Sequence, residues 1–121
     1  MQRRALLTAG LFLISGCATP SAISFAPEAL GELEALYAVR ATRGGVVIEV
    51  ASNGCTRRDD FTAFEQTMGA GVALAFARKR LDSCKAFARG RTALTFTYVD
   101  LGVRRGQAIS VLNPVAAWVG P

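Results

Sequence analysis

Apolar and polar residues alternate over several short stretches of this chain, most clearly in ALTFTYV, residues 93–99. Leu94, Phe96 and Tyr98 fall on one face of an extended chain, because successive side chains of a strand point to opposite faces. The two threonines between them fall on the other face. The pattern predicts a half-buried β-strand with Leu94, Phe96 and Tyr98 turned inward.

Further stretches have the same short, β-branched character. A TRGG turn separates residues 36–41 from the run VVIEVAS at 46–52, so these two segments are predicted to pair as a hairpin. Ile109 and Val111 indicate a last strand, which the following Asn-Pro pair closes because proline cannot donate to a ladder. The segment FTAFEQT alternates poorly and is less informative.

The stretch GVALAFARKRL, within residues 70–81, fits two structures. As a strand it turns Val72, Leu74 and Phe76 inward, and as an alanine-rich helix it places Leu74, Ala77 and Leu81 on one stripe. Two nearby glycines and the regular spacing of the neighbouring strands favour the strand.

Together these segments predict one all-β domain over residues 33–121, a small β-sandwich or partly closed barrel of about six strands. The chain has 121 residues, of which 51% are apolar, so it is long enough for a single core. Residues 17–32 are rich in Ala, Ser and Pro and are predicted to be a flexible spacer.

The chain begins with a short apolar run behind two arginines. MQRR is followed by ten mostly apolar residues, ALLTAGLFLI, and then by small residues. Because a bilayer span needs about 20 apolar residues, this run is too short for a transmembrane helix and is typical of an export signal.

The end of that run, Ile14-Ser15-Gly16-Cys17, resembles the lipobox of bacterial lipoproteins. The resemblance covers only the first 17 residues. It implies that residues 1–16 are a signal peptide cut after Gly16, that Cys17 receives a diacylglyceryl group on its sulfur, and that the new amino terminus is open to acylation. Two or three acyl chains anchor a protein durably, whereas one does so only marginally. Ala18 is not the aspartate that commonly retains lipoproteins in the inner membrane, so in a Gram-negative organism the expected location is the periplasmic face of the outer membrane.

The chain has three cysteines, and lipidation of Cys17 leaves Cys55 and Cys84 as a pair. An exported protein meets an oxidising compartment, so this pair is predicted to form a disulfide. The alternative is that the two thiols bind a metal. It would require further soft ligands, but the sequence contains no histidine and no Cys-x-x-Cys spacing, and no metal or cofactor is expected.

The formal charge of the whole chain is +5, and removing Arg3 and Arg4 with the signal leaves 12 basic and 9 acidic side chains, or +3. The basic clusters RR, RKR and RR lie in different segments, without the interleaved aromatic residues of a nucleic-acid binder, so no nucleic-acid partner is expected. A weak attraction to anionic lipid headgroups or polyanionic envelope polymers fits this mild charge.

Catalytic chemistry has few candidates in this sequence. Without histidine, the usual general base and the serine or cysteine triads are excluded, so no catalytic residue is assigned. SNGCTRRDDF is the densest polar cluster. A disulfide at its base would let it act as a recognition loop, with five candidate residues: Asn53, Arg57, Arg58, Asp59 and Asp60. The alternative is a charged, solvated loop with local Arg–Asp pairing.

These observations favour a non-catalytic, lipid-anchored binding or structural module of the cell envelope, with an envelope protein or polymer as partner. One version is an inhibitor of an envelope-degrading enzyme, since some bacterial lysozyme inhibitors share the layout of a small disulfide-bearing β-domain on a lipid anchor. Their Ser-Gly-x-x-Tyr signature is missing from the mature chain. Another hypothesis is a small hydrolase whose fold brings two carboxylates together. A third is an accessory subunit, which would expose an apolar patch larger than a few hundred Å².

Overall fold

A computed structural model describes residues 33–120. The predicted signal peptide, Cys17 and spacer therefore lie outside the described residues. Six strands follow one another along the chain: β1 (Ala38–Ala41), β2 (Val46–Ser52), β3 (Phe61–Met68), β4 (Gly71–Arg78), β5 (Gly90–Phe96) and β6 (Ile109–Val111). One turn of 3-10 helix (Arg58–Asp60) precedes β3, and a single helical turn, α1 (Tyr98–Leu101), follows β5. No helix in this range is long and apolar enough to cross a membrane.

The first sheet has the order β1-β2-β5, and both pairings are antiparallel. The predicted hairpin is confirmed, with Ala41 opposite Val46 at the turn. Gly45 is required there, because its φ is +151° and a Cβ would lie 2.0 Å from the carbonyl oxygen of Phe96 on β5.

The second sheet has the order β3-β4-β6, with β3 antiparallel and β6 parallel to β4. The strand prediction for residues 70–81 is confirmed, and Val72, Leu74 and Phe76 are buried as expected. Ala73 and Ala75 are buried as well. The central strand is thus covered on both faces, which explains why its sequence reads as a continuous apolar run that also fits a helix.

The all-β class is confirmed, and the six strands form two separate small sheets and not a closed barrel. Side chains from both sheets meet in one core. The rings of Phe76 on β4 and Phe96 on β5 lie 4.9 Å apart between centroids. The buried members of the cluster are Leu36, Val46, Ile48, Val50, Phe61, Val72, Leu74, Phe76, Leu94, Phe96 and Leu101.

The prediction that Tyr98 continues the strand is wrong. β5 ends at Phe96, and Thr97 caps a helical turn by accepting a hydrogen bond at Oγ1 from the backbone N–H of Asp100 at 3.2 Å. Gly102, with a φ of +65°, ends that turn. Tyr98 is half-buried, and its hydroxyl donates to the carbonyl oxygen of Thr42. Leu94 and Phe96 are buried as predicted.

The two ends of the described chain meet beside β4. Leu33 bridges to Ala77, and the Leu36 N–H donates to the Pro114 carbonyl oxygen at 2.9 Å. Buried Asn113 completes this junction. Its Oδ1 accepts from the Phe76 N–H at 2.8 Å, and its Nδ2 donates to the carbonyl oxygens of Phe76 and Glu34 at 2.7 and 2.8 Å. Asn113 is thus a brace between three segments, besides ending the last strand.

Candidate functional site

The predicted disulfide between Cys55 and Cys84 is present, with the two Cα atoms 5.7 Å apart. It joins the segment after β2 to the segment after β4, and so ties the first sheet to the second. Closing a loop of 29 residues stabilises a fold by about 3 to 4 kcal/mol on the chain-entropy model. Asp82 also lies close to both sulfur atoms, but the sulfurs bond to each other and are not thiolate ligands.

Asp82 organises the loop around the disulfide. Its carboxylate accepts five hydrogen bonds, from the backbone N–H groups of Asn53, Cys55 and Cys84 and the hydroxyls of Thr56 and Ser52. Partial burial raises the pKa of Asp82, but the bond from the Thr56 hydroxyl and the three backbone bonds outweigh that effect. They hold the pKa well below its ordinary range. The carboxylate is therefore ionised and fully engaged, which suits a structural role and not proton transfer.

Arg78 extends this network across the sheets. Its Nη2 donates to Glu34 Oε1 and to the carbonyl oxygen of Ala51, both at 2.8 Å, and its Nη1 donates to Thr56 Oγ1 at 3.2 Å. The guanidinium also stacks over the ring of Phe61 at 4.7 Å. Only 11% of the Arg78 side chain is exposed. The ion pair with Glu34 fixes the start of the described chain against the end of β4.

The predicted recognition loop does not present its five residues as one surface. Asn53, Arg57 and Asp59 are exposed, whereas Arg58 is half-buried and Asp60 is buried. The segment 58–60 is a 3-10 turn, and Asp60 Oδ2 accepts from the Arg57 N–H at 2.9 Å. Asp59 and Asp60 thus differ in environment and do not form a paired-carboxylate site.

The side-chain ion pairs found for TRRDD reach residues outside the segment, whereas the bond from the Arg57 N–H to Asp60 lies within it. Arg58 pairs with Asp100 on α1, and its guanidinium lies 5.2 Å from the centroid of the Phe96 ring. Asp60 pairs with Arg80, beyond the end of β4, at 3.6 Å. Asp60 and Arg80 meet because they flank the paired ends of the antiparallel strands β3 and β4, whereas Arg58 and Asp100 meet because the two sheets pack together.

A second polar region, which we call the arginine cleft, lies at the opposite end of β4 from the disulfide. It has a volume of about 750 Å³ and combines Arg43, Arg104 and Arg105 with the half-buried side chains of Tyr98, Val103 and Ile109. It is the largest cavity among those found in the described part of the chain.

Two hydrogen-bonded turns hold the arginines of this cleft. Arg43 lies in the turn between β1 and β2, where Thr42 donates from its backbone N–H and its hydroxyl to the Gly45 carbonyl oxygen, at 2.9 and 3.0 Å. Arg104 and Arg105 lie in a turn that Gln107 closes, because its Oε1 accepts from the Arg104 N–H at 2.7 Å. The Tyr98 hydroxyl bond to Thr42 links the first turn to α1, and the Val103 N–H, next to the second turn, donates to the Tyr98 carbonyl oxygen at 2.9 Å.

The arginine cleft is strongly cationic. Among the described residues that line it, none is acidic. The ion pairs found between residues 33 and 120 use Arg58, Arg78, Arg80 and Arg91. Three guanidinium groups thus share an open, partly apolar cavity, and such groups suit carboxylate or phosphate oxygens because they present planar forks of N–H donors.

Comparison with known proteins identifies no relative: no family model, no curated protein and no solved structure matches this chain. The site therefore has to be interpreted from its own geometry.

Sequence reasoning found the disulfide but missed the groups that organise it and the cleft. Arg43 and the Arg104-Arg105 pair are about 60 residues apart, and nothing in their spacing shows that the β1–β2 turn and the segment before β6 share one end of the domain. Asp82 carried one local signal. An aspartate side chain often accepts a hydrogen bond from the backbone N–H two residues further along the chain, here that of Cys84.

Proposed function

We propose that this chain is a lipid-anchored protein of the cell envelope whose domain binds an anionic envelope polymer and catalyses no reaction. The anchor is the acylated Cys17, and the proposed location is the periplasmic face of the outer membrane. The lipobox-like sequence Ile14-Ser15-Gly16-Cys17 supports this part of the proposal.

The arginine cleft is the observation that carries the binding role. Three exposed arginines, two ordered turns and no acidic lining residue within the described chain create a field that attracts anions. The half-buried Tyr98, Val103 and Ile109 add an apolar floor, which favours a ligand that carries both charged groups and carbon surface. The ligand chemistry is a carboxylate or phosphate group on an extended polymer.

The surroundings of five of the seven acidic residues between positions 33 and 120, all except Asp59 and Glu65, support a non-catalytic role. Asp82 is ionised and its oxygens are occupied, and Asp60 and Asp100 are paired with arginines. Glu34 and Glu49 are also paired with arginines, on Arg78 and Arg91. A hydrolase would need one carboxyl group with a raised pKa beside a second carboxylate.

The anchor is tested by the intact mass of the protein purified from membranes, before and after reduction and alkylation. We expect a chain that starts at Cys17 and carries acyl groups, in which two thiols become alkylated only after reduction. An unlipidated chain, or one that retains residues 1–16, would contradict the anchor.

The binding role is tested by titrating soluble peptidoglycan fragments, which carry carboxylates, and inorganic polyphosphate, which carries phosphates. The double variant Arg104→Gln/Arg105→Gln should bind the preferred polymer at least about fivefold more weakly, and the wild-type affinity should fall as salt is raised. Arg40→Gln/Arg57→Gln is the matched control, because it removes the same charge from exposed residues that do not line the cleft. If both variants weaken polymer binding equally, the effect comes from net charge alone, and the cleft is not the binding site.

A further inference from the structure

The segment that joins β4 to β5, residues 79–89, exposes two large apolar side chains. Leu81 is 84% exposed, and Phe87 is fully exposed. We call this segment the docking loop. Both side chains extend into solvent from one short connection of 11 residues, and exposed large apolar groups close together in one segment are candidates for a site of interaction.

Cations surround these apolar side chains. The docking loop carries four of them, Lys79, Arg80, Lys85 and Arg89, and all four residues are exposed, although Arg80 also pairs with Asp60 at 3.6 Å. Asp82 is its single acidic residue, and its carboxylate is turned toward the protein, where it accepts five hydrogen bonds. The outer face of the loop is therefore apolar and positive together. That combination matches an anionic phospholipid surface, in which aromatic and aliphatic side chains enter the boundary region and cations meet the headgroups.

The docking loop is held in place from within. Cys84 is joined to Cys55, and Asp82 bonds the segment after β2. These constraints hold residues 82–84, directly after Leu81 and three residues before Phe87. A loop of fixed shape presents its side chains to a surface with little further loss of conformational entropy.

The position of the loop matches the entry of the chain into the domain. Leu33 bridges to Ala77, and Glu34 pairs with Arg78, immediately before the docking loop begins. Cys17 lies 16 residues before Leu33. A chain segment of 16 residues spans at most about 55 Å. A lipid on Cys17 would therefore hold the docking loop within reach of the membrane.

We infer that the docking loop binds the surface of an anionic phospholipid membrane, with Phe87 and Leu81 inserted and the surrounding cations on the headgroups. The inference rests on the proposed lipid anchor, which would keep the docking loop concentrated at the membrane surface. The loop itself sets the orientation of the domain. Ile109 of the arginine cleft pairs with Val72 near the start of β4, whereas the docking loop follows Arg78 at its end. The length of β4, about 23 Å at 3.3 Å per residue, separates the two, so docking directs the cleft away from the membrane.

The test uses the full lipoprotein, purified from membranes and reconstituted into vesicles of phosphatidylcholine and phosphatidylglycerol that contain brominated lipids. Bromine quenches tryptophan fluorescence only at membrane depth. Phe87→Trp should be strongly quenched, whereas Val99→Trp should resemble the parent, whose tryptophan is Trp118. Val99 is the matched control because it is an equally exposed apolar residue, on α1 beyond the far end of β5. Equal quenching of the two variants would overturn the inference.

The charge requirement gives a second readout. In the Phe87→Trp background, Lys85→Gln/Arg89→Gln should lower the ratio of docked to undocked protein by about 25-fold, at about fivefold for each cation. Arg104→Gln/Arg105→Gln removes the same charge from the cleft and should leave docking unchanged. Docking that is independent of phosphatidylglycerol would also contradict the inference.

Failure of the anchor can be separated from failure of docking. Flotation with vesicles of phosphatidylcholine alone reports the anchor, because docking requires anionic lipid and an unlipidated chain does not float stably with neutral vesicles. If the chain does not float, the same quenching measurement is made with the protein added to an excess of anionic vesicles. Quenching of Phe87→Trp above Val99→Trp then supports docking without an anchor, and equal values refute it.

Discussion

Replacing Asn113 with alanine should destabilise the domain far more than an ordinary polar substitution. Asn113 is 5% exposed, and its side-chain amide makes three hydrogen bonds to the backbone of two other segments. The substitution leaves the buried N–H of Phe76 without an acceptor, which costs about 1 to 3 kcal/mol. Losing the bonds to the carbonyl oxygens of Phe76 and Glu34 removes about 1 kcal/mol each.

The expected loss in the free energy of unfolding is therefore about 3 to 5 kcal/mol, a large part of the 5 to 15 kcal/mol typical of a small domain. Urea unfolding followed by circular dichroism measures it. With a slope of about 1 kcal/mol per molar urea for a domain of this size, the midpoint should fall by about 3 M or more.

Two further variants isolate the cause. Asn53→Ala makes the same change at an exposed turn and should alter stability by less than about 0.5 kcal/mol. Asn113→Asp keeps the size and the acceptor for Phe76 but turns an oxygen toward two carbonyl oxygens, so it should also be strongly destabilising. If Asn113→Ala loses less than about 1 kcal/mol, or if Asn113→Asp is as stable as the wild type, the bracing role is refuted.

Two remaining predictions concern the disulfide region. Cys55→Ser/Cys84→Ser should lower the free energy of unfolding by about 3 to 4 kcal/mol, and reductant should then have no further effect on that variant, in contrast to the wild type; a loss below about 1 kcal/mol would contradict the loop-closure argument. The pKa of Asp82 is lower in the folded state than in the unfolded chain, so its contribution to stability is complete above about pH 4 and is lost as the pH falls through the folded pKa. The stability difference between the wild type and Asp82→Asn, measured by urea unfolding at a series of pH values, should therefore narrow in acid, and a difference independent of pH would contradict this linkage.

Local patterns predicted the strands that pack a clearly apolar face against the shared core, but not β3 (Phe61–Met68), whose burial alternates poorly. The hairpin, the inward residues of β4 and the disulfide pair all follow from signals contained within a few residues or from counting cysteines. Tyr98 shows the limit of alternation. Thr97 caps the start of a helical turn and Gly102 ends it. These two signals outweigh the alternating pattern that predicts a strand at Tyr98.

The groups that define the candidate sites depend on tertiary structure. Glu34 and Arg78 are 44 residues apart, and Asn113 and Glu34 are 79 apart, so no local pattern connects them. The arginine cleft has the same origin, since Arg43 and Arg104 come together only through the pairing of strands in two different sheets. Scattered basic residues in a sequence therefore do not exclude a basic site in the fold.

The junction of the chain ends has a consequence for the order of folding. The segments around Leu36 and Val115 form a parallel pair, and the Ala116 N–H donates to the Leu36 carbonyl oxygen at 2.8 Å. Contacts between such distant residues carry a large loop-closure entropy cost. They therefore form late and slow the folding of the whole domain. The edge of the domain that both chain ends share therefore cannot be completed until residues near 116 are present, so a chain emerging from the ribosome would finish folding only after nearly all of it had been synthesised.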